Sequence, residues 1–422
     1  MNLGKLDNTG LRIKKKWKKK ITFMAGCVAG DNLYFSSWLD NGFYRMDIRT
    51  GKCTLLDLFR SEKAHMQLYK EAVPYKNSIW FIPSQIGQFL VKVNLDTLEM
   101  KYINLPEEGR DIRDRSGNYH PKFKCCYREG KSEFWLVPIG YNMLLKVDME
   151  TDKIMHYDEL QQNLTFEDGI INFNDACFIG NEIWICPRDS KQLVIFNTIT
   201  EKFTYNKWDY HDSDAFGIVK EYKNFAVFIP MDKAKSILLI EKESFKSSKV
   251  LINVKAKRSD RLNHFVANMV EEWVLIAPFL SNELIAVNLE TGKVEVNTEL
   301  HNYIEQMGWG AERYQTSFRY GSKIIFVSDM PNMPLMVLDL DSEKVFYMEI
   351  SVDKRQYISF FIDLYYSDTE YFINWANKRF DKRYIEKDCP IDLYPFFINS
   401  ANTSSKDQSR AKVGNQIFRA VK

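Results

Sequence analysis

No run of about 18 apolar residues occurs in the 422-residue chain, so the sequence offers no membrane-spanning helix. An excess of one charge is missing too. Against 58 Lys and Arg stand 56 Asp and Glu, which excludes a globally basic surface, and no nucleic-acid partner is expected. Cysteine is scarce: seven residues, an odd number with no CxxC pair, fit reduced thiols and a cytoplasmic location rather than a disulfide framework. Signatures of chemistry are absent as well. The chain has no phosphate-binding glycine loop, HExxH, GxSxG elbow or Cys/His zinc spacing, so it implies no cofactor. With 45% hydrophobic and 14% aromatic residues, it can bury a large core.

What the sequence does contain is a repeat. Ile79-Trp80-Phe81-Ile82-Pro83 is matched by Phe134-Trp135-Leu136-Val137-Pro138, Ile183-Trp184-Ile185-Cys186-Pro187, Ala226-Val227-Phe228-Ile229-Pro230 and Val274-Leu275-Ile276-Ala277-Pro278. Leu33-Tyr34-Phe35-Ser36-Ser37 and Ile324-Ile325-Phe326-Val327-Ser328 flank them with serine in place of proline. The seven copies are spaced 46, 55, 49, 43, 48 and 50 residues apart. Each apolar strand is followed by a second that ends in Asp or Asn and a tight turn, such as Thr50-Gly51-Lys52 or Thr291-Gly292-Lys293, and then by a third. Another strand lies upstream, across a hairpin such as Gly180-Asn181-Glu182. The unit is therefore four antiparallel strands, A to D. Its continuous apolar B strand needs cover on both faces, which stacked sheets provide.

Four-stranded units of this period resemble the β-propeller superfamily over residues 21–350. The resemblance implies an all-β, seven-bladed β-propeller of four-stranded antiparallel blades with a short C-terminal extension. It is not of the WD-repeat or kelch type, because a single Trp208-Asp209 falls outside the WD position and no Gly-Gly doublet marks the blades. Residues 364–373 can also be laid on 317–326 as a degenerate eighth blade. The same stretch reads as a helix start, since Ser367 and Glu370 have capping-box spacing.

Both ends depart from the repeat. Residues 1–20 form a basic arm or edge strand, with seven positive charges between Arg12 and Lys20. Lysines facing water along a strand are the favoured reading, and weak contact of residues 12–20 with a membrane surface is the alternative. Met24-Ala25-Gly26-Cys27 looks like a lipoprotein cleavage box, but residues 27–35 align without gaps on 177–185, which places them in blade 1. Residues 351–398 read as an extension, helix or partial blade, and 399–422 as a flexible tail with a short terminal helix. That ending is similar to uncharacterised bacterial propellers associated with polysaccharide gene clusters, which implies a link to surface polysaccharide metabolism.

In a propeller the A strands line a channel, and the D–A and B–C loops share one face. The D–A connections here are long and polar: 59–68, 106–120, 161–174, 210–214, 255–263 and 301–313. Length beyond what a turn requires points to this face for recognition. His120, His211 and His264 fall in or at the ends of these loops, and with Asp175 or Asp214 they could hold a metal or share acid/base work. Asp175 and Asp214 open strand A of blades 4 and 5 at what read as matching positions, where capping of loop N–H groups is the commoner use of Asp. Trp38 and Trp309, with Arg188 and Arg313, supply rings and charges for a ligand, as do Tyr141 and Phe279. The leading expectation is a non-catalytic binding or scaffold module for a glycan, peptide or protein. A metal-assisted hydrolase or lyase is the alternative.

Overall fold

The chain forms a seven-bladed β-propeller, each blade a four-stranded antiparallel sheet. The computed structural model describes residues 21–371 apart from 39–40, 63–66, 85, 113–120, 165–172, 189–191, 209, 211–215, 231–235, 253–265, 278–283, 298–313, 329–333, 349, 353 and 369. The basic arm and residues 372–422 lie outside the described residues.

From inner to outer strand, blade 1 is β1 (Gly26–Ala29), β2 (Asn32–Ser36), β3 (Gly42–Asp47) and β4 (Lys52–Leu58). Blade 2 is β5 (Tyr69–Tyr75), β6 (Ser78–Pro83), β7 (Phe89–Asn94) and β8 (Met100–Asn104). Blade 3 follows as β9 (Phe123–Tyr127), β10 (Glu133–Pro138), β11 (Leu144–Asp148) and β12 (Lys153–Tyr157), with the short helix α1 (Glu159–Asn163) after it. Blade 4 is β13 (Phe173–Ile179), β14 (Glu182–Pro187), β15 (Gln192–Asn197) and β16 (Lys202–Lys207). Blade 5 is β17 (Phe216–Tyr222), β18 (Phe225–Pro230), β19 (Ser236–Glu241) and β20 (Ser247–Leu251). Blade 6 is β21 (Ala267–Val270), β22 (Trp273–Ile276), β23 (Leu284–Asn288) and β24 (Val294–Asn297), and blade 7 is β25 (Tyr314–Tyr320), β26 (Lys323–Ser328), β27 (Leu335–Asp339) and β28 (Lys344–Met348).

Period-2 geometry explains the apolar B strand. Ile79 and Phe81 of β6 are buried against blade 1, while Trp80 and Ile82 are buried against blade 3. The same division recurs around the ring, so the core is seven apolar seams, one between each pair of neighbouring blades. Both faces of a B strand must then be apolar, as the sequence shows. Registers match the repeat alignment, with Cys27 opposite Tyr34 in blade 1 and Cys177 opposite Trp184 in blade 4.

The ring is closed from outside. Strand β29 (Ser351–Val352) pairs in parallel with β4, adding a fifth strand to blade 1. The helix α2 (Lys354–Ser367) follows and buries Phe361 and Leu364 in the seam between blades 7 and 1. That helix ends at Ser367, so residues 364–367 are its last turn and not a strand of an eighth blade. Glu370 and Tyr371 are helical again, and the Tyr371 N–H donates to Asp368 Oδ1 at 3.0 Å, a helix start one residue beyond the expected Ser367 cap. Beyond it the Tyr371 hydroxyl meets Asn41 Nδ2 at 3.0 Å, fastening the extension to blade 1.

Candidate functional site

Inner strands begin at the loop face, and the residue paired just before the B-strand proline marks one level of the channel wall. At this level blades 2, 3 and 4 carry Glu71, Lys124 and Asp175, opposite Ile82, Val137 and Cys186. Blades 1, 5, 6 and 7 carry Ala25, Ile218, Val266 and Thr316 there. The three charged groups form one arc. Lys124 Nζ donates to Glu71 Oε1 and lies 3.5 Å from Asp175 Oδ1.

Each carboxylate also reaches the next inner strand. The Cys125 N–H donates to Glu71 Oε2, and the Val219 N–H donates to Asp175 Oδ2 at 3.0 Å. Glu71 thus ties β5 to β9, and Asp175 ties β13 to β17. Burial works against the charge on Lys124, but the Glu71 and Asp175 carboxylates outweigh it and hold its pKa well above the ordinary lysine value. The ammonium is therefore a permanent bridge. Hydrogen-bonded, paired charges of this kind cost several kcal/mol to break, on the order of 3–5, because the partner is left uncompensated.

Beside the arc runs a cavity of about 1110 Å³, bounded by β1, β5, β9 and β25. Four cysteines lie on the inner strands: Cys27, Cys125, Cys126 and Cys177. Burial pushes all four thiols up from the ordinary cysteine value, so they stay protonated. The six described cysteines are unbridged. Among the described residues no group of three or more His, Cys, Asp or Glu is placed to hold a metal ion.

Two buried ionic anchors set the loop face above blades 1 to 3. Glu62 accepts the N–H groups of Gln88 and Phe89 and the Tyr69 hydroxyl, joining the connection after blade 1 to the B–C side of blade 2. Burial raises its pKa against those bonds. Lys122, 5% exposed, pairs with Asp111, whose backbone bridges Tyr141. Tyr141 itself is buried against Phe123, and burial pushes its hydroxyl up to about 12, so it packs the loop instead of offering a ring to ligand.

Of the residues singled out in the sequence, Asp175 lies in the channel wall. Arg188 is exposed directly after Pro187, and Trp38 is half-buried after β2, its carbonyl accepting the Gln67 N–H. His120, His211, Asp214, His264, Trp309, Arg313 and Phe279 lie outside the described residues. Asp214 is not the counterpart of Asp175: the register Ile218 with Ile229 matches Asp175 with Cys186, so the equivalent position in blade 5 is Ile218. Glu71 and Lys124 escaped notice in the sequence. Glu71 and Asp175 each precede their blade's proline by 12 residues, a signal that could have paired them.

No family model matches the sequence, and no curated protein matches it. Among solved structures the chain is similar to streptogramin B lyase, at 11% identity over 74% of this chain and 92% of that one, with a TM-score of 0.51. It is also similar to PorZ, described as an essential surface component of the type-IX secretion system of Porphyromonas gingivalis, at 10% identity with a TM-score of 0.51. That match covers 82% of this chain and 39% of PorZ. The WD40 repeats of RRP9 match at 6% identity over 76% and 91% of the two chains, with a TM-score of 0.50. Identities this low show a shared propeller fold alone.

Proposed function

We propose that the chain is a non-catalytic binding or scaffold propeller whose partner, a glycan, peptide or protein segment, docks on the face that carries the D–A and B–C loops. The observation that carries this reading is the Glu71–Lys124–Asp175 arc, present at one level in three consecutive blades where the other four carry Ala25, Ile218, Val266 and Thr316. By tying four inner strands together just beneath the loops, it gives one sector of that face a rigid polar floor. Recognition surfaces are most selective where rigid elements support them. Arg188 and Trp38 stand at the same end of their blades and would contribute charge and ring surface. The polysaccharide link implied by the chain's ending makes bacterial surface glycans the first partners to try.

Glycan-array and peptide-library screening of the purified chain, followed by titration calorimetry, tests this. Arg188→Ala and Trp38→Ala are expected to weaken binding about tenfold, roughly the loss of one well-placed contact, with Ile199→Ala on the opposite rim as the control. Loss of binding only in the control would sink the loop-face assignment. Turnover of a bound glycan, with stoichiometric metal that disappears on His120→Ala, would establish the hydrolase or lyase alternative instead.

A further inference from the structure

We draw no further inference here: the strongest candidate, the pocket of about 470 Å³ between blades 5 and 6 on the rim opposite the loop face, lined by Glu221, Glu271, Glu272 and Glu290, is a cluster of acidic side chains whose lining cation, Lys223, already pairs with Glu290, and nothing among the described residues shows what it would hold.

Discussion

Trp80, Trp135 and Trp184 occupy one position in three successive B strands, and their surroundings show how single residues tune a repeat. In blade 4 the indole N–H of Trp184 donates to Glu182 Oε2 at 3.1 Å. In blade 3 the equivalent Glu133 pairs at 3.0 Å with Lys146, whose ammonium lies 5.0 Å from the Trp135 ring centre. Blade 2 has Ser78 there, and Trp80 Nε1 is buried without a partner. A buried donor left unmet costs about 1–3 kcal/mol. Ser78→Glu should therefore stabilise the protein by about 1 kcal/mol, with Lys92 over the same ring as a second partner for the new carboxylate. Urea denaturation of the two proteins checks it, and an unchanged midpoint would mean the indole is not strained by its isolation.

At the scale of the element, the C–D turn repeats with little variation. In six blades an Asp or Asn oxygen, on Asp47, Asn94, Asp148, Asn197, Asn288 or Asp339, accepts the N–H groups two and three residues on. The residue four along has positive φ in all seven blades, yet only Gly51 and Gly292 are glycine. The side-chain acceptor thus supports a conformation on Leu98, Asp152, Glu201 and Glu343 that costs about 1 kcal/mol each, while in blade 5, which lacks that acceptor, Phe245 is held by its N–H bond to the Glu241 carbonyl at 2.9 Å. Asn288→Ala should destabilise by about 1–2 kcal/mol, since both bonds go at once.

Asp148 adds a pH dependence. The Thr151 N–H, more than the Glu150 N–H and the Lys146 charge, holds its carboxyl below the usual aspartate value against some burial. A depressed folded pKa gives stability that is present above the unfolded value near 4 and lost as pH falls through the folded one. Asp148→Asn keeps the acceptor and should match the parent at pH 7 while losing less stability on acidification. Thermal melts from pH 7 to 3 that stay parallel for the two proteins would contradict this.

For the whole molecule, seven seams make stability a shared property, because no blade can bury its B strand alone. The seam between blades 7 and 1 is the one no continuous blade spans, and β29 and α2 cover it from outside. Phe361→Ala should cost about 3–5 kcal/mol, as for other buried phenylalanines, and Leu364→Ala about 2–5. Differential scanning calorimetry would show the loss in the main transition. A separate low-temperature transition, with the main one unmoved, would mean that α2 is an appendage and that the ring closes without it.

Much of this architecture was legible in advance. The B strand announces itself because burial on both faces demands an unbroken apolar run, and the period follows from four short strands and three turns. The register of Cys27 with Tyr34 could be inferred from Cys177 with Trp184 because each residue added or lost would turn every side chain to the wrong seam. The candidate site was less legible. Asp175 stood out beside a turn, but its service to the Val219 N–H crosses from one blade to the next, and Glu71 and Lys124 are ordinary surface residues until β5, β9 and β13 converge. In the extension the helix start was legible to within one residue, with Asp368 and not Ser367 accepting the Tyr371 N–H. The helix before it, α2, depends on burial of Phe361 and Leu364 in the seam between blades 7 and 1, which local spacing does not show.

Local chemistry therefore settled what each unit of about 45 residues must be, since hydrophobic alternation and turn residues act over a few positions and are written in chain order. Convergence on the axis was decided only by the folded ring. Groups that meet there lie about 50 residues apart in sequence, as Glu71, Lys124 and Asp175 do, and their energies depend on burial and mutual charge that exist only once the blades are stacked.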